Sequence, residues 1–385
     1  MPRLKIAYLC DISPEHTLPY SGGNAQIFRA LSDHADLTIL PQSWGMAEPL
    51  RRAIYALPVG AQLRLRWRAH LAAAPLIARP LNRQLKAGDF DVVLGVYSLQ
   101  SMSHIRPPPG ALSAFMSDAT PTVYRRSAIG RNFGASWVAR RLVDPLVLRA
   151  ERRILNATDL LLWPTDWLKR AADPLYGLPT DKAHVIPWGA NIDDPGAPPA
   201  RTITGGPLNL LVIGRDWFAK GGPMAFDTMQ ALRTHGIDAR LTVIGATPPA
   251  FDQNKHVTLL GPLDKARPDQ AARFAAALRQ AHFLVQPSIE SFGFAFCEAA
   301  AFGLPALCLA QGGVPVRDGV TGHALLPGAT AADFAARVLA DIETPARYDA
   351  LCKNARAEYE TTLNWRAWAA SAVALMEEKL AAKRR

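Results

Sequence analysis

The sequence predicts an α/β protein built from two doubly wound parallel-sheet domains, and three observations lead to this prediction. Short apolar runs with little polar alternation, such as 5–10 and 208–213, recur between helical segments, as expected for strands buried on both faces. A connector at 193–207 with four prolines and three glycines divides the chain. The length of 385 residues, with 49% hydrophobic and 20% charged residues, is enough for two sizeable domains.

The N-terminal domain, placed at 1–192, opens with a strand that leads to a glycine pair. Further apolar runs and helical segments follow in alternation, and we predict strands at 5–10, 37–40, 91–96, 114–116 and 160–163, with helices at 25–31 and over most of 50–87. Gly22 and Gly23 give a flexible backbone beside the ligand edge of the sheet. The spacing G-x-G-x-x-G of a dinucleotide-binding fingerprint is absent after this strand.

The C-terminal domain, placed at 208–362, repeats the pattern with strands at 208–213, 241–244, 257–260, 283–285 and 306–309, followed by a helical tail from 331 to 380. Its first strand leads directly into Gly214, Arg215 and Lys220. Two cations five positions apart, beside glycines at a strand end, are suited to grip a diphosphate from two sides.

The stretch 283–305 predicts a strand, a turn and a helix that begins at about Ser291. Glu290 lies just before this helix and Glu298 lies within it, eight positions apart. A carboxylate accepts hydrogen bonds from paired hydroxyls such as those of a ribose or a sugar, and a helix N-terminus attracts an anion. The alternative is that both are surface charges, with Glu290 stabilising the helix dipole.

This stretch and its continuation through 311–315 and 318–326 resemble the donor-binding signature of the retaining GT-B glycosyltransferases of family 4. The resemblance covers nearly the whole chain and is most specific from 208 to 326. It implies two Rossmann-like domains facing each other across a cleft, with a last helix at about 363–385 that packs back on the N-terminal domain. It also implies transfer of a hexosyl group from a nucleoside-diphosphate sugar to a hydroxyl, with retention and without a metal or cofactor.

The resemblance also assigns roles to individual residues. In family members the first glutamate contacts the donor sugar and the second contacts the ribose, which implies these roles for Glu290 and Glu298. Arg215 and Lys220 match the pair that binds the diphosphate and stabilises it as it leaves. The remaining implied contacts to the donor are Gly214, Ser291, Phe292, Gly293, Gly312 and Gly313, and Gly22 and Gly23 match a loop near the acceptor. Val316 stands where family members usually carry a glutamate.

Asp118 follows the strand at 114–116 within Ser-Asp-Ala-Thr, and one branch of the family carries a similar run. Asp118 at that place would orient or partly deprotonate the acceptor hydroxyl. The alternative is that Ser117 or Asp118 caps a helix that starts before Thr122.

The net charge is +10, and no acid lies between Glu48 and Asp89, while Arg51, Arg52, Arg64, Arg66, Arg68, Arg79, Arg83 and Lys86 accumulate there. Such a segment suits an anionic membrane, a phosphate-bearing acceptor or nucleic acid, or it is a pair of ordinary surface helices. We expect a cytoplasmic protein with a glycan or lipid-linked acceptor that docks on the inner membrane face through Arg51–Lys86 and does not bind nucleic acid.

Other signals point elsewhere. Asp89 and Asp91 match the D-x-D of metal-dependent glycosyltransferases, but they lie at the start of a strand, so we interpret the match as coincidence. The four scattered cysteines predict a reduced protein without zinc. Two rival functions are another GT-B enzyme, such as a sugar-nucleotide epimerase or a phosphorylase, and a non-catalytic protein that binds membranes or nucleic acid.

Overall fold

The computed structural model describes residues 3–16, 19–41, 43–130, 141, 143–246 and 254–385. The chain divides into two compact units, which we call unit 1 (Met1–Pro187 with Trp368–Arg385) and unit 2 (Trp188–Ala367). Each unit contains a six-stranded sheet whose neighbouring strands are all parallel. The prediction of two doubly wound α/β units is therefore confirmed.

The sheet of unit 1 has the order β2-β1-β3-β4-β5-β6. Its strands are β1 (Lys5–Cys10), β2 (Asp36–Pro41), β3 (Val92–Val96), β4 (Leu112–Met116), β5 (Leu160–Trp163) and β6 (Ala183–Val185). Every residue of β3, β4 and β5 is buried, which explains their continuous apolar sequences. In register, Ile6 pairs with Leu37 on one side and with Val92 on the other.

Helices cover this sheet, and a long one accounts for most of the basic segment. They are α1 (Gly23–Ser32), α2 (Glu48–Tyr55), α3 (Val59–Ala87), α4 (Pro121–Arg126), α5 (Asp144–Ala157) and α6 (Asp166–Tyr176). Pro58 separates α2 from α3 by standing just before the first residue of α3. The predicted helical character of 50–87 is thus confirmed as two helices.

The sheet of unit 2 has the order β12-β11-β10-β7-β8-β9. Its strands are β7 (Leu208–Gly214), β8 (Ala239–Gly245), β9 (Val257–Gly261), β10 (Phe283–Val285), β11 (Ala306–Leu309) and β12 (Gly322–Leu325). The sequence predicted five of these. It missed β12, a four-residue edge strand that pairs with β11 and whose sequence, Gly-His-Ala-Leu, contains a single large apolar residue.

The helices of unit 2 are α7 (Gly222–Thr234), α8 (Pro268–Gln280), α9 (Phe294–Ala301), α10 (Ala331–Glu343) and α11 (Pro345–Thr361), and α12 (Trp365–Arg384) runs on into unit 1. The prediction that α9 begins at about Ser291 is wrong. The helix begins at Phe294, because Gly293 adopts a left-handed φ of 89° and is its N-cap residue. No described helix is both long and apolar enough to cross a bilayer.

Both sheets reverse their strand order beside their first strand. In unit 1 the chain passes from β1 outward to β2 and then returns to β3, on the other side of β1. In unit 2 it passes from β7 through β8 to β9 and then returns to β10, on the other side of β7. Ligands of open α/β sheets bind beyond the carboxyl ends of the strands at such a reversal. The loops after β1, β3, β7 and β10 therefore lie where each sheet would bind a ligand.

Candidate active site

An ion pair joins the loops that follow β7 and β10. The Lys220 Nζ donates to Glu290 Oε1 at 2.5 Å, and the Lys220 side chain is 29% exposed while that of Glu290 is 14% exposed. The same carboxylate oxygen accepts hydrogen bonds from Ser288 Oγ at 2.6 Å and from Gln286 Nε2 at 3.3 Å. Two residues that lie seventy positions apart in sequence are thus brought together at the strand-order reversal of unit 2.

The glycine pair Gly312–Gly313 is held against the backbone of Glu290. The Gly313 N–H donates to the Glu290 carbonyl at 2.7 Å, and Gly312 forms an isolated parallel bridge with Glu290. Gly312 has a φ of 69°, and a Cβ there would lie 2.3 Å from the Glu290 carbonyl oxygen. Only glycine fits this approach.

Gly214, the last residue of β7, makes room for the Lys220 side chain. A Cβ on Gly214 would lie 2.3 Å from Lys220 Cγ, so the lysine stem lies directly across the strand end. Arg215 follows on the exposed side of this turn and makes no hydrogen bond or ion pair with any described residue. The structure therefore brings Gly214, Lys220, Glu290 and the glycine pair together and leaves the Arg215 side chain in solvent.

The turn Ser291–Phe292–Gly293 leads into α9 over a cluster of aromatic rings. Phe292 is buried, and its ring lies 5.6 Å from that of Trp188. Trp188 also stacks on Phe294 at 5.9 Å, with an angle of 12° between the planes, and contacts Trp365. The Phe292 side chain is thus part of the packing, and only its backbone and Gly293 remain to contact a ligand.

Glu298 lies inside α9 and is buried, with its side chain 4% exposed. Its carboxylate accepts a hydrogen bond from Lys265, which lies in the loop after β9 and places its ammonium 5.3 Å from the Phe274 ring centroid. A buried carboxylate needs such a partner because desolvation opposes its charge. Lys265 was not predicted as a partner of Glu298, since no local spacing links two residues that lie 33 positions apart.

In unit 1, the predicted acceptor loop occupies the start of α1. Gly22 has a φ of 85° and precedes the first residue of the helix, Gly23. Asn24 is buried behind them, where its side chain accepts from the Tyr8 hydroxyl at 2.6 Å and donates to the Ile12 carbonyl at 2.9 Å. The loop is thereby fastened to β1.

Asp118 lies in a pocket of about 150 Å³ at the carboxyl ends of β3 and β4. The pocket is lined by Arg66, Trp67, Tyr97, Ser117, Asp118, Ala119 and Tyr124. The Trp67 and Tyr124 rings meet edge to face at 6.2 Å, one from α3 and one from α4. Thr120 caps α4, with its hydroxyl accepting from the Val123 N–H, so the alternative of a cap at Ser117 or Asp118 is wrong.

A buried carboxylate supports the helix that follows Asp118. Glu151 is 2% exposed and accepts from the Thr122 N–H at 3.1 Å and from the Tyr176 hydroxyl at 2.9 Å. Tyr176 also shares a hydrogen bond of 2.5 Å with Thr120. Burial raises the pKa of Glu151, and these hydrogen bonds oppose the rise. Glu151 was not predicted as a site residue, because its neighbours in the sequence are those of an ordinary charged surface helix.

The basic segment does not form one solvated cationic face. Arg66 is buried and lies 3.7 Å from a carboxylate oxygen of Asp11, and Arg68 donates to Asp144 at 3.2 Å. Glu48 accepts from Arg51 and lies 3.9 Å from Arg52. The Arg64 side chain lies outside the described residues. Arg66 and Arg68 therefore do not contribute to a solvated cationic face, because Arg66 lines the pocket and Arg68 contacts α5.

The D-x-D acids are engaged at the amino end of β3. Asp89 pairs with the Lys5 ammonium at 2.6 Å, and Asp91 pairs with Arg384 at 2.8 Å and accepts from the Lys5 N–H at 3.0 Å. This edge lies opposite the strand ends that carry Asp118 and Gly22. These acids therefore lie apart from the candidate site residues of unit 1.

Comparison with solved structures finds proteins of similar fold. Sucrose-phosphate synthase from Thermosynechococcus elongatus matches with a TM-score of 0.67 and 18% identity, over 99% of this chain and 100% of that one. Anabaena HepE in complex with UDP and glucose matches with a TM-score of 0.59 and 13% identity, over 97% and 100%. WaaG, a glycosyltransferase involved in lipopolysaccharide biosynthesis, matches with a TM-score of 0.60 and 15% identity, over 96% and 99%.

The chain has the GT-B glycosyltransferase fold. Residues 207–343 also match the family model described as glycosyl transferases group 1. This segment of the GT-B chain contains Lys220, Glu290 and Glu298, together with the glycine pair. A search of the curated proteins found no significant match. Fold and family segment together support a glycosyltransferase of the group 1 type.

Proposed function

We propose that the protein is a retaining glycosyltransferase of family 4 that moves a hexosyl group from a nucleoside-diphosphate sugar to a hydroxyl of a glycan or lipid-linked acceptor. The observation that carries this proposal is the Lys220–Glu290 pair, which lies at the ends of two neighbouring strands within the group 1 segment. A cation and a carboxylate at one strand-order reversal can address the two chemically different parts of such a donor, its phosphates and its sugar.

The donor binds to unit 2 in this proposal. Glu298 holds the ribose hydroxyls, and the Gly293 backbone with the N-terminus of α9 receives the diphosphate. The exposed Arg215 completes the diphosphate site from the other side of Lys220. HepE, which was solved with UDP and glucose, supports a nucleotide and a sugar as the kind of ligand.

Donor binding changes the partner of Lys220. Before binding, Lys220 is neutralised by Glu290. A diphosphate carries more charge than a carboxylate and attracts the ammonium, which leaves a Glu290 oxygen to accept from the sugar hydroxyls. As the sugar–phosphate bond breaks, negative charge grows on the leaving phosphate, and Lys220, Arg215 and the helix N-terminus stabilise it. We therefore propose that transfer needs no metal ion or cofactor, and that attack occurs on the face of the departing phosphate.

The acceptor binds to unit 1, where the Asp118 carboxylate orients its hydroxyl. The Trp67 and Tyr124 rings form a wall against which the C–H face of a sugar ring packs, while Ser117 and Arg66 line the same pocket. The role of WaaG in lipopolysaccharide biosynthesis supports a cell-envelope glycan as the acceptor class in this proposal. We propose the cytoplasm as the place of reaction.

A thermal-shift screen against UDP-, GDP- and ADP-sugars tests the proposal, since a ligand that binds only the native state raises the melting temperature. We expect one nucleotide family to stabilise the protein, and Glu298→Gln to abolish that shift. Incubation of the stabilising donor with and without EDTA, followed by analysis of the released nucleotide and the anomeric configuration of the product, then tests transfer. Donor epimerised without acceptor, loss of activity in EDTA restored by magnesium, or no shift with any nucleotide would contradict it.

A further inference from the structure

A cavity of about 300 Å³ lies in unit 1 near the amino end of β4. Ser113, the second residue of β4, lines this cavity, whereas Asp118 lies two residues beyond the other end of the same strand. The remaining walls are the segment 102–107 and the C-terminal end of α5 with Thr158. The cavity is therefore separate from the residues assigned to the donor and the acceptor.

The loop that forms one wall of the cavity is held in place from outside. The Asn82 side chain of α3 donates to the His104 carbonyl at 2.9 Å and accepts from the Arg106 N–H at 2.8 Å. His104 has a left-handed φ of 63°, a conformation that costs free energy in a residue other than glycine and that recurs at ligand-binding sites. Elsewhere in the lining, the Ser113 hydroxyl donates to Asp159 at 2.7 Å. The cavity is thus formed before any ligand binds.

Most of the lining is apolar. The apolar lining residues are Met102, Ile105, Pro107, Ile154 and Ala157. A ligand with an apolar body removes this surface from water, which favours its binding. The volume of about 300 Å³ corresponds to roughly ten non-hydrogen atoms, at about 30 Å³ for each water-sized group.

Two nitrogen-bearing side chains supply the polar part of the lining. Arg153 is exposed and forms no ion pair with any described residue. Nδ1 of His104 shares a hydrogen bond of 2.9 Å with the Ser103 hydroxyl, and its Nε2 has no partner in the described part of the chain. The cavity is lined by no described acid, and the neighbouring Asp159 is paired with Lys383 at 2.6 Å. The charge at this cavity therefore complements an anion.

We propose that this cavity is a binding site for a small monocarboxylic acid with an apolar body. The body fills the space between the loop and α5, and the carboxylate accepts hydrogen bonds from the Arg153 guanidinium, whose planar fork matches two carboxylate oxygens. His104 presents a second nitrogen in the same lining. An inorganic anion would leave the apolar surface uncovered, which favours a carboxylate that carries an apolar body.

Three soluble probes of one shape test this site: phenylacetate, its neutral amide phenylacetamide, and the cation phenethylamine. Binding to the purified protein is measured by NMR titration of each probe. We expect phenylacetate to bind with a dissociation constant on the order of 1 mM, a reasonable value for a ligand of this size. Phenylacetamide should bind about 10-fold more weakly, the scale of one hydrogen bond to a charged group, and phenethylamine more weakly still. No sugar nucleotide is needed, so the result does not depend on the proposed function.

Variants of α5 locate the bound probe. Arg153→Gln should bind phenylacetate about 10-fold more weakly and lose the preference for the acid over the amide. Arg149→Gln is the matched control, because it removes an exposed cation four positions earlier that does not line the cavity, and it should keep that preference. Ala157→Phe should fill the cavity and remove the binding of both probes.

Circular dichroism checks that each variant is folded, and Arg153→Gln decides the question if Ala157→Phe is not, because it changes only an exposed side chain. Absence of phenylacetate binding, equal affinity of the parent for acid and amide, or a preference that survives in Arg153→Gln would overturn the proposal. Unchanged binding in a folded Ala157→Phe would do the same.

Discussion

The two strand-order reversals of this molecule are built differently. In unit 2 the functional groups are charges and glycines that short motifs supply, and Lys220, Glu290 and Gly312 meet within one network of contacts. In unit 1 the corresponding edge is a small pocket with aromatic walls, and its residues come from three separate stretches of chain. The charged edge suits the phosphates and ribose that are common to all sugar nucleotides, whereas the aromatic edge suits one acceptor.

Under the proposed function, this difference predicts that binding of the donor and choice of the acceptor are separable. Substitutions in unit 2 should change the handling of any donor, and substitutions in unit 1 should change only what receives the sugar.

Replacing Lys220 by alanine should reduce the turnover number by roughly 10²-fold or more, the usual scale for removing a group that stabilises developing charge. Arg215→Ala should have an effect of the same kind. Steady-state rates with saturating donor measure it, and Lys353→Ala, an exposed lysine of the same unit, is the control. Parental turnover in both variants would mean that these cations do not stabilise the leaving phosphate.

Replacing Glu298 and replacing Glu290 should change different kinetic constants. Glu298→Ala should raise the KM for the donor by about 10-fold with little change in turnover, because a ribose contact is made equally in ground and transition states. Glu290→Ala should lower the turnover number as well. Titration of the donor at saturating acceptor separates the two, and identical changes in both constants would remove the proposed division of roles.

Trp67→Ala should raise the KM for the acceptor by about fivefold and leave the KM for the donor unchanged, since stacking on an aromatic ring contributes on the order of 1 kcal/mol. Tyr124→Phe keeps the ring and serves as the control. A change in the donor constant of similar size would show that the two edges are not independent.

Glu151→Gln should change the pH dependence of stability. Because burial raises the pKa of Glu151 in the folded state, the native protein retains this proton above pH 4.5 while the unfolded chain loses it. The free energy of unfolding of the parent should therefore fall relative to that of Glu151→Gln as pH rises from about 4.5, by at most about 1.4 kcal/mol per pH unit. Urea titrations at several pH values measure the difference, and a constant offset would show that the pKa of Glu151 is the same in the folded and unfolded states.

Much of the fold was predictable because strands buried on both faces leave continuous apolar runs. Strands β1, β5, β10 and β11 have the predicted bounds. The short strand β12 was missed because it depends on pairing with β11, and the start of α9 was missed because Gly293 adopts a left-handed conformation just before the helix.

The candidate site likewise contains residues that the sequence predicted and residues that it did not predict. The roles given to Lys220, Glu290 and Glu298 stay predictions, although the structure places the first two in contact. Lys265, Glu151 and Trp67 left no local signal, because each acquires its place only when a segment tens of residues away packs against it. The sequence also did not predict which basic side chains of this segment are exposed, since only the fold distinguishes the enclosed Arg66 from the exposed Arg79.

The order of the two units along the chain also determines which unit is completed first during synthesis. Unit 2 occupies residues 188–367, between the two parts of unit 1. At about 5–20 residues per second, a ribosome needs roughly 10–40 s to make this stretch. Trp368, Met376 and Leu380 are buried in the completed protein and emerge only afterwards. The first part of unit 1 therefore has an uncovered apolar surface until these residues are synthesised. Unit 2 is complete before that point and can finish folding first. Chaperones can bind the uncovered surface of unit 1 during this interval.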